Sequence, residues 1–85
     1  MSNKLFIGNL SWAIDSQQLE EIFSAIGEVT DAFVLTDRET GRSRGFGFVT
    51  FANEEDAQRA IDEMNEKEVD GRAIVVNVAK AKREF

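Results

Sequence analysis

The sequence predicts one small α+β domain: four antiparallel strands in one layer and two helices in the other. Three observations carry that expectation. Runs with strand and helix patterning follow the order strand, helix, strand, strand, helix, strand. Two of those runs are amphipathic helices that begin after polar caps, Asp15 and Asn53. The third strand run, Arg44 to Phe51 (R-G-F-G-F-V-T-F), packs three phenylalanines and two glycines into eight residues. It is too short and too rich in aromatics and glycine for a helix.

Lys4 to Leu10 (K-L-F-I-G-N-L) is a short apolar run closed by Gly8-Asn9, and reads as the first strand. Alternation puts Leu5 and Ile7 on one face and Lys4, Phe6 and Gly8 on the other. Ser11 to Ile14 is a loop, with Trp12 expected to cover the rim of the core in preference to the alternative of a binding role. Asp15 caps the first helix and Gln18 stands at the capping-box position. Leu19, Ile22, Phe23 and Ile26 follow as one apolar stripe, and Gly27 is expected to stop the helix as a left-handed cap.

Val29 to Thr36 is the second strand, with Ala32 and Val34 inward and Asp31, Phe33 and Leu35 outward. Asp37 to Ser43 is polar, contains Gly41, and joins antiparallel strands. The octamer follows, with Arg44, Phe46, Phe48 and Thr50 on one face and Gly45, Gly47, Val49 and Phe51 on the other. Both faces are partly apolar, so alternation alone does not say which is buried. Asn53 caps the second helix, whose first turn holds Glu54, Glu55 and Asp56 where the dipole favours them. Ala57, Ala60, Ile61 and Met64 form its stripe. Asp70-Gly71 signals a tight turn. Ala73 to Ala79 is the fourth strand, with Ile74, Val76 and Val78 on one side and Val75, Asn77 and Ala79 on the other. The domain core spans about residues 4–79 of the 85, and 80–85 form a short, mostly basic tail.

This order is the split β-α-β, ferredoxin-like arrangement. Right-handed crossovers place both helices on one side of the sheet. Two helices cannot cover both faces, so one face stays bare. Gly45 and Gly47 suit the covered face, where a missing side chain permits close approach. Val49 and Phe51 then join Leu5, Ile7, Leu19, Ile22, Phe23, Val34, Ile61, Ile74 and Val76 in the core. Phe6, Phe46 and Phe48 are left on the bare face with Arg44. Three phenylalanines in one exposed patch mark an interaction site.

Composition narrows what that site does. The net charge is −6, but placement matters more than the sum. Glu20, Glu21, Glu54, Glu55, Asp56, Asp62 and Glu63 fall on the helices, where Arg59 is the only base. Lys4, Arg38, Arg42, Arg44, Lys80, Lys82 and Arg83 fall on strands, loop and tail. Aromatic rings among cations suit a single strand of nucleic acid: bases stack on the rings and phosphates meet the cations. There is no cysteine and no histidine, which removes disulfides, thiolate or imidazole metal ligands and the usual general base. Catalysis, cofactors and metals are therefore not expected. No apolar run reaches membrane-spanning length. Met1 leads directly into a strand-like run with no room for a signal peptide, so a cytoplasmic, monomeric protein is expected.

R-G-F-G-F-V-T-F satisfies every position of the longer signature of the RNA recognition motif, K/R-G-F/Y-G/A-F-V-x-F/Y. L-F-I-G-N-L at Leu5 to Leu10 resembles the shorter signature of that family. The chain as a whole is similar to small single-motif RNA-binding proteins of the bacterial and glycine-rich kind. The resemblance implies a sheet order of 4-1-3-2, with the signature strands side by side at the centre. It implies that Phe6 and Phe48 each stack a base, that Phe46 lies against sugars, and that Arg44 meets a phosphate. Phe33 and Leu35 would extend the platform. Asp31 and Asn77 would contact base edges. Lys4, Arg38, Arg42, Lys80, Lys82 and Arg83 would contact phosphates, while Phe85 has no assigned role. The expected partner is single-stranded RNA, or single-stranded DNA by the same stacking, gripped over roughly two to four nucleotides. The rival expectation is a protein-binding relative that holds a peptide with its acidic helices, and the three platform rings argue against it. An enzyme of ferredoxin-like fold is remote, because Gly45 and Gly47 lie inside a strand and form no phosphate-cradling loop.

Overall fold

The structure, a computed structural model, describes residues 3–41 and 43–79, leaving aside the side chains at 43 and 44. The elements are β1 (Lys4–Gly8), α1 (Ser16–Ser24), β2 (Val29–Thr36), β3 (Ser43–Phe51), α2 (Glu54–Met64), β4 (Glu68–Val69), β5 (Arg72–Ala73) and β6 (Val75–Val78). The four long strands form one sheet in the order β2-β3-β1-β6, antiparallel throughout. With β6 as the fourth expected strand, this is the 4-1-3-2 order, and β1 and β3 are central.

Alternation sorts the sheet into two faces. Leu5, Ile7, Val49, Phe51 and Val76 are buried in one cluster with Leu19 and Phe23 of α1 and Ala57, Ala60 and Met64 of α2. Both helices therefore cover the same face. Ile22, Ile26, Ala32, Val34 and Ile61 pack around this cluster, half-buried. Phe23 and Phe51 meet edge to face at its centre, 6.3 Å between centroids. Burying each ring contributes on the order of 1.5–3 kcal/mol. No polar side chain is buried among the described residues, so the core carries no desolvation cost to offset.

The Asp15 capping box forms: Asp15 Oδ1 accepts from the Gln18 N–H at 2.8 Å, and Gln18 Oε1 accepts from the Asp15 N–H at 3.2 Å. One residue on, Ser16 Oγ accepts from the Val34 N–H at 2.8 Å and ties the helix start to β2. Asn53 occupies the cap position of α2, but its side chain makes no cap bond. Its Nδ2 lies 3.4 Å from Asp56 Oδ2 instead.

Several expectations change in detail. Gly27 is not in the left-handed region, and α1 ends at Ser24 with Ala25 as a right-handed cap. Gly27 instead permits close approach, because a side chain there would run into Asp56. Gly45 is the reverse case. Its φ is +89° and an added Cβ would meet only Leu10 O at an ordinary 3.7 Å, so conformation rather than space calls for glycine. It lies where β3 carries extra residues against β2, between the Val34–Gly47 and Thr36–Ser43 pairs. Gly47 does serve close approach, but to a strand: a Cβ would stand 3.0 Å from Val34 Cα and nearer still to the Phe33 carbonyl.

β1 stops at Gly8 rather than Leu10, because Asn9 turns the chain at φ +57°. Trp12 is 70% exposed and covers no rim; Leu10 and Ile14 fill that part of the core. The last strand begins at Val75 rather than Ala73. Residues 72–73 pair with 68–69 in a separate hairpin, turned by Asp70 (φ +53°) and Gly71 (φ +84°), both in the positive-φ geometry of a two-residue primed turn. Val78 was expected inward, yet it is 39% exposed at the end of an edge strand.

Asp15→Ala removes a formed cap and should cost about 1 kcal/mol, lowering the thermal midpoint by roughly 4–8 °C. Asn53→Ala should cost measurably less, since no cap bond is lost. Equal losses in thermal melts of the two variants would contradict these cap assignments. Gly47→Ala should cost about 1–3 kcal/mol, the range for forcing a group into packed space, and an unchanged midpoint would contradict the close approach of β2.

Candidate nucleic-acid interface

The uncovered face is built from register. Phe6 lies opposite Phe48 across β1 and β3, and Phe48 lies opposite Phe33 across β3 and β2. Asn77 lies opposite Phe6 across β6 and β1. Asn77, Phe6, Phe48 and Phe33 thus form one row across all four strands, each step the usual ~4.8 Å between strands. A parallel row, Lys4–Thr50–Asp31, runs beside it.

The rings touch one another. Phe6 is 5.9 Å from Phe48 and 5.8 Å from Phe46, and Phe33 is 5.4 Å from Phe48. Phe6, Phe46, Phe48 and Phe33 are each half-buried rather than bare. Their edges cover one another, which keeps much apolar area from water while leaving the face as a whole uncovered. Tilted and edge-on ring pairs of this kind are worth about 0.5–1.5 kcal/mol beyond area. Phe33 is therefore on the platform, as the register of β2 predicts.

Lys4 Nζ stands 4.9 Å from the Phe48 centroid and 5.9 Å from that of Phe33. A cation over a ring face is attracted by the ring quadrupole, so Lys4 is held above the platform, with its charge presented there. Phe6, Phe48, Asn77, Val78 and Ala79 line a depression of about 470 Å³ beside the β6 edge. Asn77 is exposed, and its Oδ1 accepts from the Val78 N–H at 3.2 Å. Val75, opposite Gly8 and 41% exposed, adds apolar surface on the open face, while Val78, opposite buried Leu5, is 39% exposed at the strand end on the other face. Neither valine was singled out by sequence; alternation had named Val75 as outward, and only the edge position of β6 explains Val78.

Asp31 is exposed and Leu35 half-buried, two residues either side of Phe33 on β2. Arg38 is exposed in the turn, flanked in sequence by Asp37 and Glu39. That turn is rigidified by Asp37, whose Oδ1 accepts from the Glu39 N–H at 2.7 Å. The Arg44 backbone is in β3, while its side chain, together with Arg42, Lys80, Lys82, Arg83 and Phe85, lies outside the described residues. The opposite side of the molecule carries Glu20, Glu21, Glu54, Glu55, Asp62 and Glu63, all exposed. Arg59, the one base within the two helices, donates from Nη1 to the Ile26 carbonyl at 3.1 Å. No cluster of acidic, histidine or cysteine side chains fit for a metal occurs among the described residues, and none of their helices is long and apolar enough to cross a membrane.

Known proteins resemble this chain in sequence and in fold. The model of the RNA recognition motif matches residues 5–75. A glycine-rich RNA-binding protein of Arabidopsis thaliana, described as mitochondrial, is 58% identical over 79 residues, covering 93% of this chain and 58% of the relative. A glycine-rich RNA-binding protein of Mycosarcoma maydis is 52% identical over 82 residues, covering 96% and 47% respectively. The chain spans about half the length of the curated relatives it matches. Among solved structures, the RNA-binding protein PG1 superposes with a TM-score of 0.90 at 44% identity, covering 98% of this chain and all of that one. A Sxl-lethal protein solved in complex with RNA superposes at 0.91 and 31% identity, covering 99% of this chain and 50% of that one. Signature strands at the sheet centre, a family model matched across most of the chain and relatives above half identity together establish that this chain belongs to the RNA recognition motif family.

Proposed function

We propose that this chain binds single-stranded RNA on the open face of its sheet, without catalysis, and so acts on the folding, stability or translation of transcripts. The row Asn77–Phe6–Phe48–Phe33 is the observation that carries this reading. Flat bases stack on rings and gain about 1–3 kcal/mol each. Phe6 and Phe48 are the stacking residues, Phe46 backs a sugar, and Phe33 and Leu35 extend the surface. The Asn77 amide faces the base on Phe6, and Asp31 accepts from a base on the β2 side. Lys4 leaves the rings for a phosphate as a base arrives, and Arg44, Arg42, Lys80 and Lys82 supply further phosphate contacts. The same stacking admits single-stranded DNA. The relatives named as RNA-binding proteins and the RNA complex of a 31% identical chain support this reading. The acidic helices, turned away from the sheet, repel phosphate and favour approach to the open face. The protein acts as a monomer in the cytoplasm; recovery in an organelle fraction would overturn that placement.

Phe48→Ala should weaken binding of a short mixed-sequence RNA about five- to 150-fold by fluorescence anisotropy, the stacking range for one base. A folded Phe6/Phe46/Phe48→Ala triple variant should bind far more weakly still. Unchanged affinity in that variant, its fold verified by circular dichroism, would sink the platform. Retained capture of a peptide partner with no RNA binding by the wild type would favour the protein-binding rival.

The logarithm of affinity should fall linearly with the logarithm of salt, at a slope near −0.7 per phosphate contacted. Lys4→Met should make that slope shallower by about one such step, and an unaltered slope would remove Lys4 from the phosphate contacts.

A further inference from the structure

The open face contains a glycine that is buried. Gly8 lies on that face, two residues past Phe6 on β1, where no helix reaches it. Its cover there is the Phe6 ring. A Cβ built on Gly8 would stand 2.9 Å from Phe6 Cε2 and 3.2 Å from Cζ, so the far end of the ring takes the space where a side chain would begin. The backbone itself does not ask for glycine, since Gly8 lies outside the left-handed region that Gly45 and Gly71 occupy. Space alone does.

Register explains the seat. Gly8 falls between Val75 of β6, its partner, and Phe46 of β3, one step past the Ile7–Gly47 pair. The row Val75–Gly8–Phe46 therefore has a gap at its centre, next to the row that carries Phe6. The Phe6 ring leans into this gap and meets Phe46 at 5.8 Å between centroids. Val75 closes the other side, its Cβ 3.7 Å from the same point.

The lean of the ring sets what lies behind it. Phe6, Phe48, Asn77, Val78 and Ala79 line the depression of about 470 Å³. Val78 is opposite Leu5, and the Ala79 N–H donates to Lys4 O at 2.9 Å. The depression therefore flanks Phe6 on the side away from Gly8, and a side chain at residue 8 would drive the ring toward it. That shift costs the fold little, because the obstacle is the tip of a side chain that can turn, and alanine or valine suits a strand better than glycine. A base that needs the ring in place would lose its contact.

We propose that Gly8 is a positioning residue for RNA binding: it seats the Phe6 ring over the β1 backbone and so keeps the depression beside Asn77 clear for a base. This rests on the RNA-binding reading above. Gly8 offers the RNA no side chain of its own and acts through Phe6.

A double-mutant cycle tests this role, because residues that act through one another are not additive. Gly8→Ala, Gly8→Val, Phe6→Ala and the two double variants are compared by anisotropy of a labelled short mixed-sequence RNA, well below the thermal midpoint of each. Gly8→Ala should weaken binding about fivefold, the low end of the loss for one stacked base, and Gly8→Val further. In the Phe6→Ala background neither change at residue 8 should alter affinity again. Without RNA, the ring-proton resonances of Phe46 should move in Gly8→Ala, because the neighbouring ring has turned. Unmoved resonances overturn the seat. A lowered midpoint with unchanged affinity of the folded variants, or an equal loss in the Phe6→Ala background, overturns the positioning role and leaves the platform standing. Phe6→Ala that binds as tightly as the wild type overturns both.

Discussion

Leu5, Ile7, Val49, Phe51 and Val76 are sealed beneath two helices, and because side chains alternate along a strand, that burial leaves Phe6 and Phe48 no place but the opposite face. The same burial fixes register. A slip of one residue would trade Leu5 for Lys4 in the core and bury a charge without a partner, at a cost far above the stability of so small a domain. The pairing of Phe6 with Phe48 on one face is thus enforced by the pairing of Leu5 with Val49 on the other. The platform is held in place by the apolar residues behind it.

This coupling explains how a patch of phenylalanines persists on a soluble-facing surface. Four rings standing apart would each expose two faces and an edge. Drawn together at 5.4–5.9 Å, with the Lys4 ammonium above two of them, they hide their edges and keep a charge at the surface. Rings already packed against one another have less freedom to lose when a flat ligand settles on them. The glycines serve that order in different ways. Gly47 lets β2 approach so that Phe33 meets Phe48, while Gly45 supplies a positive φ where β3 outruns β2.

Charge is sorted along the same division of faces. The carboxylates of both helices point away from the sheet, and α2 places three of them in its first turn, where the helix dipole stabilises them. A net charge of −6 therefore does not oppose an anionic ligand at the sheet; it disfavours every other way of approach. Arg59, the one base among the helical acids, is engaged by the Ile26 carbonyl at the end of α1 and serves the helix packing.

By itself, the sequence determined the order of elements, both helical stripes, the Asp15 capping box, the Asp70-Gly71 turn and the two faces of each strand. These are local properties: period, cap and turn chemistry are written within a few neighbouring residues, so alternation could assign Phe33 and Phe48 each to one face of its own strand, while their direct pairing came only with the register of the sheet. Where a feature depended on distant partners, the residues read one way and the fold another. Gly27 has the look of a helix stop but is small because Asp56 crowds it, and Gly45 and Gly47 look alike but answer to different neighbours. Trp12 has the look of a core lid, but Leu10 and Ile14 already fill the core and leave the indole outside. The bond from Arg72 to Asn9 joins residues 63 apart, and no local pattern encodes it. Tertiary structure decided those matters because volume and hydrogen bonds are shared between elements only after the sheet has closed.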